Sequence, residues 1–138
     1  MVRSQASPDQ IGKLDPGTEL IVQRRGYRHH GIYVGNGRVI HYAGWGRYSR
    51  GLVEEIPLWD FAGRRPVRIG RRPAQCPNAA EIVWRARSRL GERSYHLLTN
   101  NCEHFCSWCQ VGESTSSQVD HFVSQIGRLA RTLWWQST

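Results

Sequence analysis

The order of the periodic patterns along the chain is the strongest constraint on its fold. Residues 18–69 carry short β-branched or aromatic runs separated by turn signals, whereas residues 78–135 carry apolar side chains at helical spacing. Strands that come first and helices that follow predict an α+β fold, with helices segregated against an antiparallel sheet. We therefore expect four to five strands followed by packed helices.

Turn-forming residues separate the predicted strands in the first half of the chain. Asp15-Pro16-Gly17 is a strong turn signal, and Gly35-Asn36-Gly37 offers residues that tolerate positive φ between two apolar runs. The second and third strands should therefore form an antiparallel hairpin. Pro57 places the fourth strand at a sheet edge or marks the end of that strand. The predicted strands are residues 18–23, 29–34, 38–43, 52–58 and 66–69.

Capping patterns mark the helices of the second half. Asn78 with Glu81 predicts a helix that ends at Gly91, and Asn100 with Glu103 predicts a helix that runs to about Val111. A last amphipathic helix is predicted from about residue 118 to 135. This last helix could cover the core, bind a partner or lie on a membrane.

Cys102 lies in the first turn of the predicted helix at 101–111. Unpaired N–H groups and the positive end of the helix dipole favour an anion there, and a free thiol has a pKa of about 8.5. We therefore predict that Cys102 is an activated nucleophile that can become a thiolate. Cys106 and Cys109, farther along the same helix, are predicted to be small buried hydrophobic residues.

A cysteine nucleophile requires a base, and the base requires a group that orients it. His29 and His41 lie on adjoining strands of the predicted hairpin. If Tyr33 and Gly37 flank the turn, the two histidines face each other on one side of the sheet. They would then suit a base and its partner, although two ordinary sheet histidines would give the same pattern. His104 follows Cys102 by two residues and should face away from it.

Three segments of the chain together resemble one enzyme family. They are YRHHGIYVG at 27–35, VIHY at 39–42 and NCEHF at 101–105. They look like the lecithin retinol acyltransferase-like domain, a group of NlpC-type, permuted papain-like thiol enzymes. The resemblance implies a domain at residues 14–117, between a flexible lead-in at 1–13 and a C-terminal amphipathic helix at 118–138. His30 departs from the family pattern, which usually has an aromatic residue at this position.

The resemblance also implies the chemistry. His29 would be the base, Cys102 the nucleophile and His41 the third polar member of the site. Such enzymes form a cysteine thioester from a lipid acyl ester, often a phospholipid, and pass the acyl group to water, an amine or a hydroxyl. This chemistry needs no cofactor and no metal. A permuted papain-like fold would place the histidines on the sheet and the cysteine on a packed helix.

Further residues are candidates for substrate contact. The backbone N–H of Cys102 is a natural oxyanion donor, and Tyr27 is a second candidate because it shares the strand alternation of His29. In the loop at 44–51, the aromatic residues Trp45 and Tyr48 flank Arg47 and could line a groove for an acyl chain and a phosphate. A loop that packs on its own sheet would have the same composition.

Charge and hydropathy limit the kinds of molecule the protein could bind and its location in the cell. The formal net charge is +8, nearly all of it from arginine, which favours an anionic partner such as an acidic membrane surface. No nucleic-acid-binding motif accompanies the charge, which argues against nucleic acid. No apolar run reaches membrane-spanning length, and no signal-peptide core precedes Gly12. We expect a cytoplasmic protein with peripheral membrane contact, and the sequence makes no prediction of its oligomeric state.

Three alternatives remain open from sequence. Cys102, His104, Cys106 and Cys109 could form a zinc cluster, although structural sites usually pair a CxxC motif with ligands from a second segment. The chain could be a cysteine peptidase or amidase of the same superfamily. It could also be a non-catalytic module that binds lipid or nucleic acid through its arginines.

Overall fold

A computed structural model of the protein describes residues 13–44, 51–73, 78–96 and 101–112. In these residues an antiparallel sheet of five strands combines with three helices, so the α+β prediction is confirmed. In chain order the elements are β1 Glu19–Arg24, β2 Tyr27–Gly35, β3 Arg38–Tyr42, β4 Val53–Pro57, α1 Leu58–Ala62, β5 Val67–Ile69, α2 Ala79–Ser88 and α3 Cys102–Val111. The predicted helix at 118–138 lies outside the described residues.

The strand order is β4-β3-β2-β1-β5, with every neighbouring pair antiparallel. β2 is the central strand and is buried without interruption from His29 to Val34, because both faces of the sheet are covered. β4 and β5 form the edges. Pro57 is the last residue of β4, where its missing N–H removes no ladder hydrogen bond from the interior of the sheet.

Each face of the sheet carries its own hydrophobic core. On one face, α2 and α3 pack against β2, β3 and β4 through a cluster that includes Ile32, Tyr42 and Phe105. On the other face, α1 inserts Phe61 against Leu20, Val22, Tyr33 and Val39. The short helix and the long helices thus lie on opposite sides of the strands that carry the histidines.

The β2–β3 hairpin has a different register from the one predicted. Asn36 and Gly37 both have positive φ, 54° and 69°, so they form a tight two-residue turn that pairs Gly35 with Arg38. A bulge between Tyr33 and Gly35 then shifts the ladder, and His41 lies opposite Gly31 rather than opposite His29. The prediction that the two histidines face each other directly was therefore wrong. The shift is by two residues, so His29 and His41 still project from the same face.

α2 ends before Gly91, where its capping pattern predicted the end. The helix stops at Ser88, and Leu90 is 43% exposed. The N–H of Gly91, whose φ is 87°, donates to the main-chain oxygen of Val53 at 2.8 Å. This hydrogen bond turns the chain back to β4 before another helical turn can form. None of the helices in the described ranges is long and apolar enough to span a membrane.

Candidate active site

Cys102 is the first residue of α3, and Asn101 caps that helix. The Asn101 side-chain oxygen accepts from the N–H groups of Glu103 and His104, both at 3.0 Å, and the Asn101 N–H donates to Nδ1 of His104 at 3.3 Å. The capping box therefore joins Asn101 to His104, not Asn100 to Glu103 as predicted, because the helix begins one residue later. Cys102 remains in the first turn, and His104 fixes that turn instead of facing the chemistry.

The Cys102 thiol is buried against the backbone of β2. The side chain is 4% exposed, and Sγ lies 3.9 Å from the main-chain oxygen of Arg28, the residue before His29. Burial raises the pKa of Cys102 to about 11, although main-chain N–H groups at the helix start act in the opposite direction. The resting group is therefore a neutral thiol, because desolvation outweighs the helix terminus. That Cys102 can become a thiolate during a reaction stays a prediction.

His29 and His41 form a buried pair on the α1 face of the sheet. Nε2 of His29 lies 2.6 Å from Nδ1 of His41, and both side chains are almost fully buried. Phe61 packs against both rings, with centroids 5.4 Å from His29 and 5.8 Å from His41. Burial, followed by the charge of His41, lowers the pKa of His29 well below 6.5. His29 is therefore neutral at pH 7 and can accept a proton.

Glu54 on β4 extends the pair to a third group. His41 and Glu54 are cross-strand partners, and Nε2 of His41 lies 2.9 Å from Oε1 of Glu54. The carboxylate only accepts, so Nε2 of His41 must carry the hydrogen. In the tautomer with one hydrogen on each ring, Nδ1 of His41 then accepts from Nε2–H of His29. This direction leaves the lone pair of His29 on Nδ1, the nitrogen that makes no contact with His41.

Sequence reasoning did not identify Glu54. The available signal was a carboxylate inside a short strand predicted to neighbour the His41 strand. Turning that signal into a contact required the β3–β4 register, which pairs His41 with Glu54 and Val39 with Ile56. Because one strand position moves a side chain to the opposite face, the sequence alone could not choose between Glu54 and Glu55.

His30 lies on the opposite face and links the sheet to the cysteine helix. Its Nδ1 is 3.2 Å from a carboxylate oxygen of Glu19 on β1, and its Nε2 is 3.7 Å from a carboxylate oxygen of Glu103 on α3. His30 therefore lies between Glu19 of β1 and Glu103 of α3, and the partner of His41 is His29.

The structure brings His29, His41 and Glu54 into one hydrogen-bonded chain and brings Cys102 to the start of β2. The thiol and the His29 ring do not share a direct hydrogen bond among the described residues, because Sγ is directed at the Arg28 oxygen. Catalytic hydrogen bonds are often absent or long without substrate. The arrangement therefore offers a thiol on Cys102, a neutral base on His29, and His41 with Glu54 to orient that base.

The profile of the lecithin retinol acyltransferase family matches residues 12–115, which include all four of these groups. The chain belongs to the lecithin retinol acyltransferase family. This membership confirms the resemblance drawn from the histidine and cysteine segments. The matched region ends before the predicted C-terminal helix.

Characterised relatives of the chain fall into two groups by name. Human phospholipase A and acyltransferase 1 is 31% identical over 80% of this chain and 76% of its own length. Human phospholipase A and acyltransferase 3 is 32% identical over 75% of both chains. Rat lecithin retinol acyltransferase is 26% identical over 90% of this chain and 66% of its own length. The family is thus named for acyl transfer and for phospholipase activity.

Other predicted site residues have varied outcomes. Tyr27 is 47% exposed, with its ring edge-on to His29 at a centroid distance of 6.3 Å, and its role as an oxyanion donor stays a prediction. The proposed groove residues Trp45, Arg47 and Tyr48 lie outside the described residues.

Cys106 and Cys109 are fully buried in the core beneath α3, as predicted. Among the residues with described positions, no group of three or more His, Cys, Asp or Glu side chains could hold a metal ion.

Proposed function

We propose that the protein is a cysteine-dependent acyltransferase or phospholipase-type hydrolase that takes its acyl group from a phospholipid-type ester. The observation that carries this proposal is the 2.6 Å contact between His29 and His41, which leaves one basic ring nitrogen at the strand end reached by Cys102. Family membership supports the same chemistry, since the relatives are named as acyltransferases and phospholipases.

In the acylation step, the Cys102 thiol gives its proton to Nδ1 of His29 while sulfur attacks the ester carbonyl carbon. The resting pair is neutral, so proton transfer accompanies attack instead of preceding it. The imidazolium that forms on His29 is stabilised through His41 by the Glu54 carboxylate. His29 then returns the proton to the leaving alkoxide as the carbon–oxygen bond breaks, which leaves a thioester on Cys102.

The main-chain N–H of Cys102 at the start of α3 is the donor we assign to the oxyanion. In the second step His29 removes a proton from water, a hydroxyl or an amine, which attacks the thioester carbonyl. As the carbon–sulfur bond breaks, His29 returns that proton to the sulfur of Cys102 and the neutral thiol and base are restored. A membrane-resident donor would bring the protein to a membrane surface, and the formal charge of +8 favours an acidic one.

Intact-protein mass spectrometry after incubation with phospholipid vesicles tests the proposal. We expect an acyl adduct on Cys102 that disappears in Cys102→Ala and persists in Cys106→Ala and Cys109→Ala, because those two thiols are enclosed in the core. Vesicles that contain anionic lipid should give faster acylation than neutral vesicles. An adduct that survives Cys102→Ala would contradict the proposal. Cleavage of peptide or amide substrates without a lipid adduct would favour the peptidase alternative.

A further inference from the structure

A cavity of about 400 Å³ opens where the β1–β2 turn meets the end of α1. Its lining includes three guanidinium groups, from Arg24, Arg25 and Arg65, but a single carboxylate, from Asp60. Tyr27 forms another part of the wall. The excess of positive charge makes the cavity suitable for an anion, and its volume suits a small polar group with part of an attached chain.

Two of these guanidinium groups are held in place by the backbone. Nη2 of Arg24 donates to the main-chain oxygen of Phe61 at 3.2 Å, and Nη1 of Arg65 donates to that of Gln23 at 2.8 Å. Each hydrogen bond uses one of the five N–H donors of a guanidinium, so most donors remain available. Arg25 makes no hydrogen bond or ion pair with another described residue. The cavity is thus a partly preorganised set of cationic donors.

The cavity shares its walls with the catalytic pair. Tyr27 contacts the His29 ring, and Arg28, the next residue, presents its main-chain oxygen to the Cys102 thiol. Phe61, whose oxygen holds Arg24, packs on the rings of His29 and His41. A ligand with an anionic group in the cavity would therefore extend towards the base and the nucleophile.

We propose that this cavity binds the headgroup phosphate of the acyl donor. The proposal rests on the proposed function and assigns the phosphate contact of that same site. Guanidinium forks match phosphate oxygens in geometry, and charge-assisted hydrogen bonds are about twice as strong as neutral ones. A phosphate next to the scissile ester would thus anchor the donor beside His29.

Substrate binding would also strengthen the base. After burial and His41, the charge of Arg24 contributes to the lowered pKa of His29. A phosphate in the cavity neutralises part of that charge and makes the His29 imidazolium more stable. The acid limb of the kcat profile should therefore lie at higher pH for a phosphate-bearing ester than for a neutral ester with the same chains.

The test compares a soluble short-chain diacylglycerol phosphate with the matching diacylglycerol. In the double variant Arg25→Gln and Arg65→Gln, we expect KM for the phosphate ester to rise by about tenfold or more, because charged hydrogen bonds are lost. The rate on the neutral ester should change by less than about twofold, since the lost groups bind phosphate alone. Arg64→Gln is the matched control, because Arg64 lies in the same turn but does not line the cavity.

Equal losses on both esters, or the same loss in Arg64→Gln, would overturn the cavity assignment. Cysteine acylation by both esters without any preference for phosphate would overturn it while the proposed function stands. If neither ester acylates Cys102, the proposed function fails, and calorimetry on Cys102→Ala decides the cavity separately. There, arginine-dependent binding of the phosphate ester supports the assignment, whereas equally tight binding of inorganic phosphate would indicate a free-anion site and contradict it.

Discussion

Glu54 is the residue on which the direction of the histidine relay depends. It fixes the hydrogen on His41 and thereby the lone pair on Nδ1 of His29. In Glu54→Ala we expect kcat/KM to fall by about tenfold or more, because His41 loses the carboxylate that orients it and stabilises the charged pair. Loss of the carboxylate also destabilises the protonated pair, so the acid limb of the pH profile should move to lower pH.

Two further variants separate charge from orientation. Glu54→Gln keeps an oxygen that accepts from His41, so it should recover most of the rate while keeping the shifted acid limb. Glu55→Gln is the control, because its carboxylate contacts Arg38 and Arg87 instead of a histidine. A pH profile that does not move in Glu54→Ala, or equal effects at Glu54 and Glu55, would refute the assigned role.

At the same scale, strand alternation, helix capping and the family segments offered His29, His41 and Cys102 as candidates, and their catalytic roles stay predictions. The burial of the thiol was not predicted, because the sequence shows that Cys102 begins a helix but not how completely its side chain is enclosed. Desolvation depends on the surrounding packing, which raises the pKa of Cys102 to about 11.

Among the elements, the packing of α1 on β2 requires a glycine at position 31. Gly31 lies opposite His41, and a Cβ built there would approach Val39 Cγ1 at 2.6 Å and Phe61 Cε2 at 2.8 Å. Both distances are too short for a carbon contact, so a side chain at Gly31 must displace Phe61 or spread β2 from β3. The absence of a side chain at this position therefore allows Phe61 to pack on both histidine rings.

Gly31→Ala should lower the free energy of unfolding by about 1–3 kcal/mol, the usual cost of overpacking a core. It should also slow acylation of Cys102, because Phe61 would no longer hold the histidine pair. Chemical denaturation monitored by circular dichroism gives the first quantity. Gly44→Ala is the control, since a Cβ there would meet Tyr95 at ordinary distances of 3.4 Å or more. Equal stability of the two variants would show that β2 adjusts to the added methyl group.

The elements were predicted well where local chemistry determines them. The strands and the span of α3 follow from turn residues, alternation and caps. The hairpin register was missed because the bulge near Val34 and a turn of two rather than three residues are alternatives that the Gly35-Asn36-Gly37 segment permits equally. The end of α2 was not predicted because it depends on the hydrogen bond from the Gly91 N–H to the main-chain oxygen of Val53 in β4, a residue distant in sequence.

For the whole molecule, the buried histidine pair links catalysis to acid stability. The pKa of His29 is lower in the folded protein than in the unfolded chain, so the unfolded chain binds a proton more readily. The contribution of His29 to the free energy of unfolding is therefore fully present above pH 6.5. It is lost as the pH falls below 6.5 towards the pKa of His29 in the folded protein. Each pH unit in that window removes at most about 1.4 kcal/mol for this one group.

Urea unfolding at a series of pH values from 7.5 to 4.5 measures this effect. We expect the free energy of unfolding of the wild type to fall more steeply below pH 6.5 than that of His29→Gln, which has no group to protonate there. The comparison with the variant cancels the contributions of carboxylates and histidines that do not contact His29. Parallel curves for the two proteins would mean that His29 takes up a proton as readily in the folded protein as in the unfolded chain, contrary to its burial against Phe61.

The buried amide of Gln110 helps to set the position of Cys102 from the far end of α3. Its Nε2 donates to the main-chain oxygens of Gly17 at 3.2 Å and Arg71 at 2.6 Å, which belong to segments flanking β1 and β5. A helix that slipped by one residue would advance by about 1.5 Å and rotate by about 100°. Either movement would break both hydrogen bonds, so α3 has one permitted axial setting. The position of the Cys102 thiol relative to the sheet therefore depends on hydrogen bonds made two helical turns away.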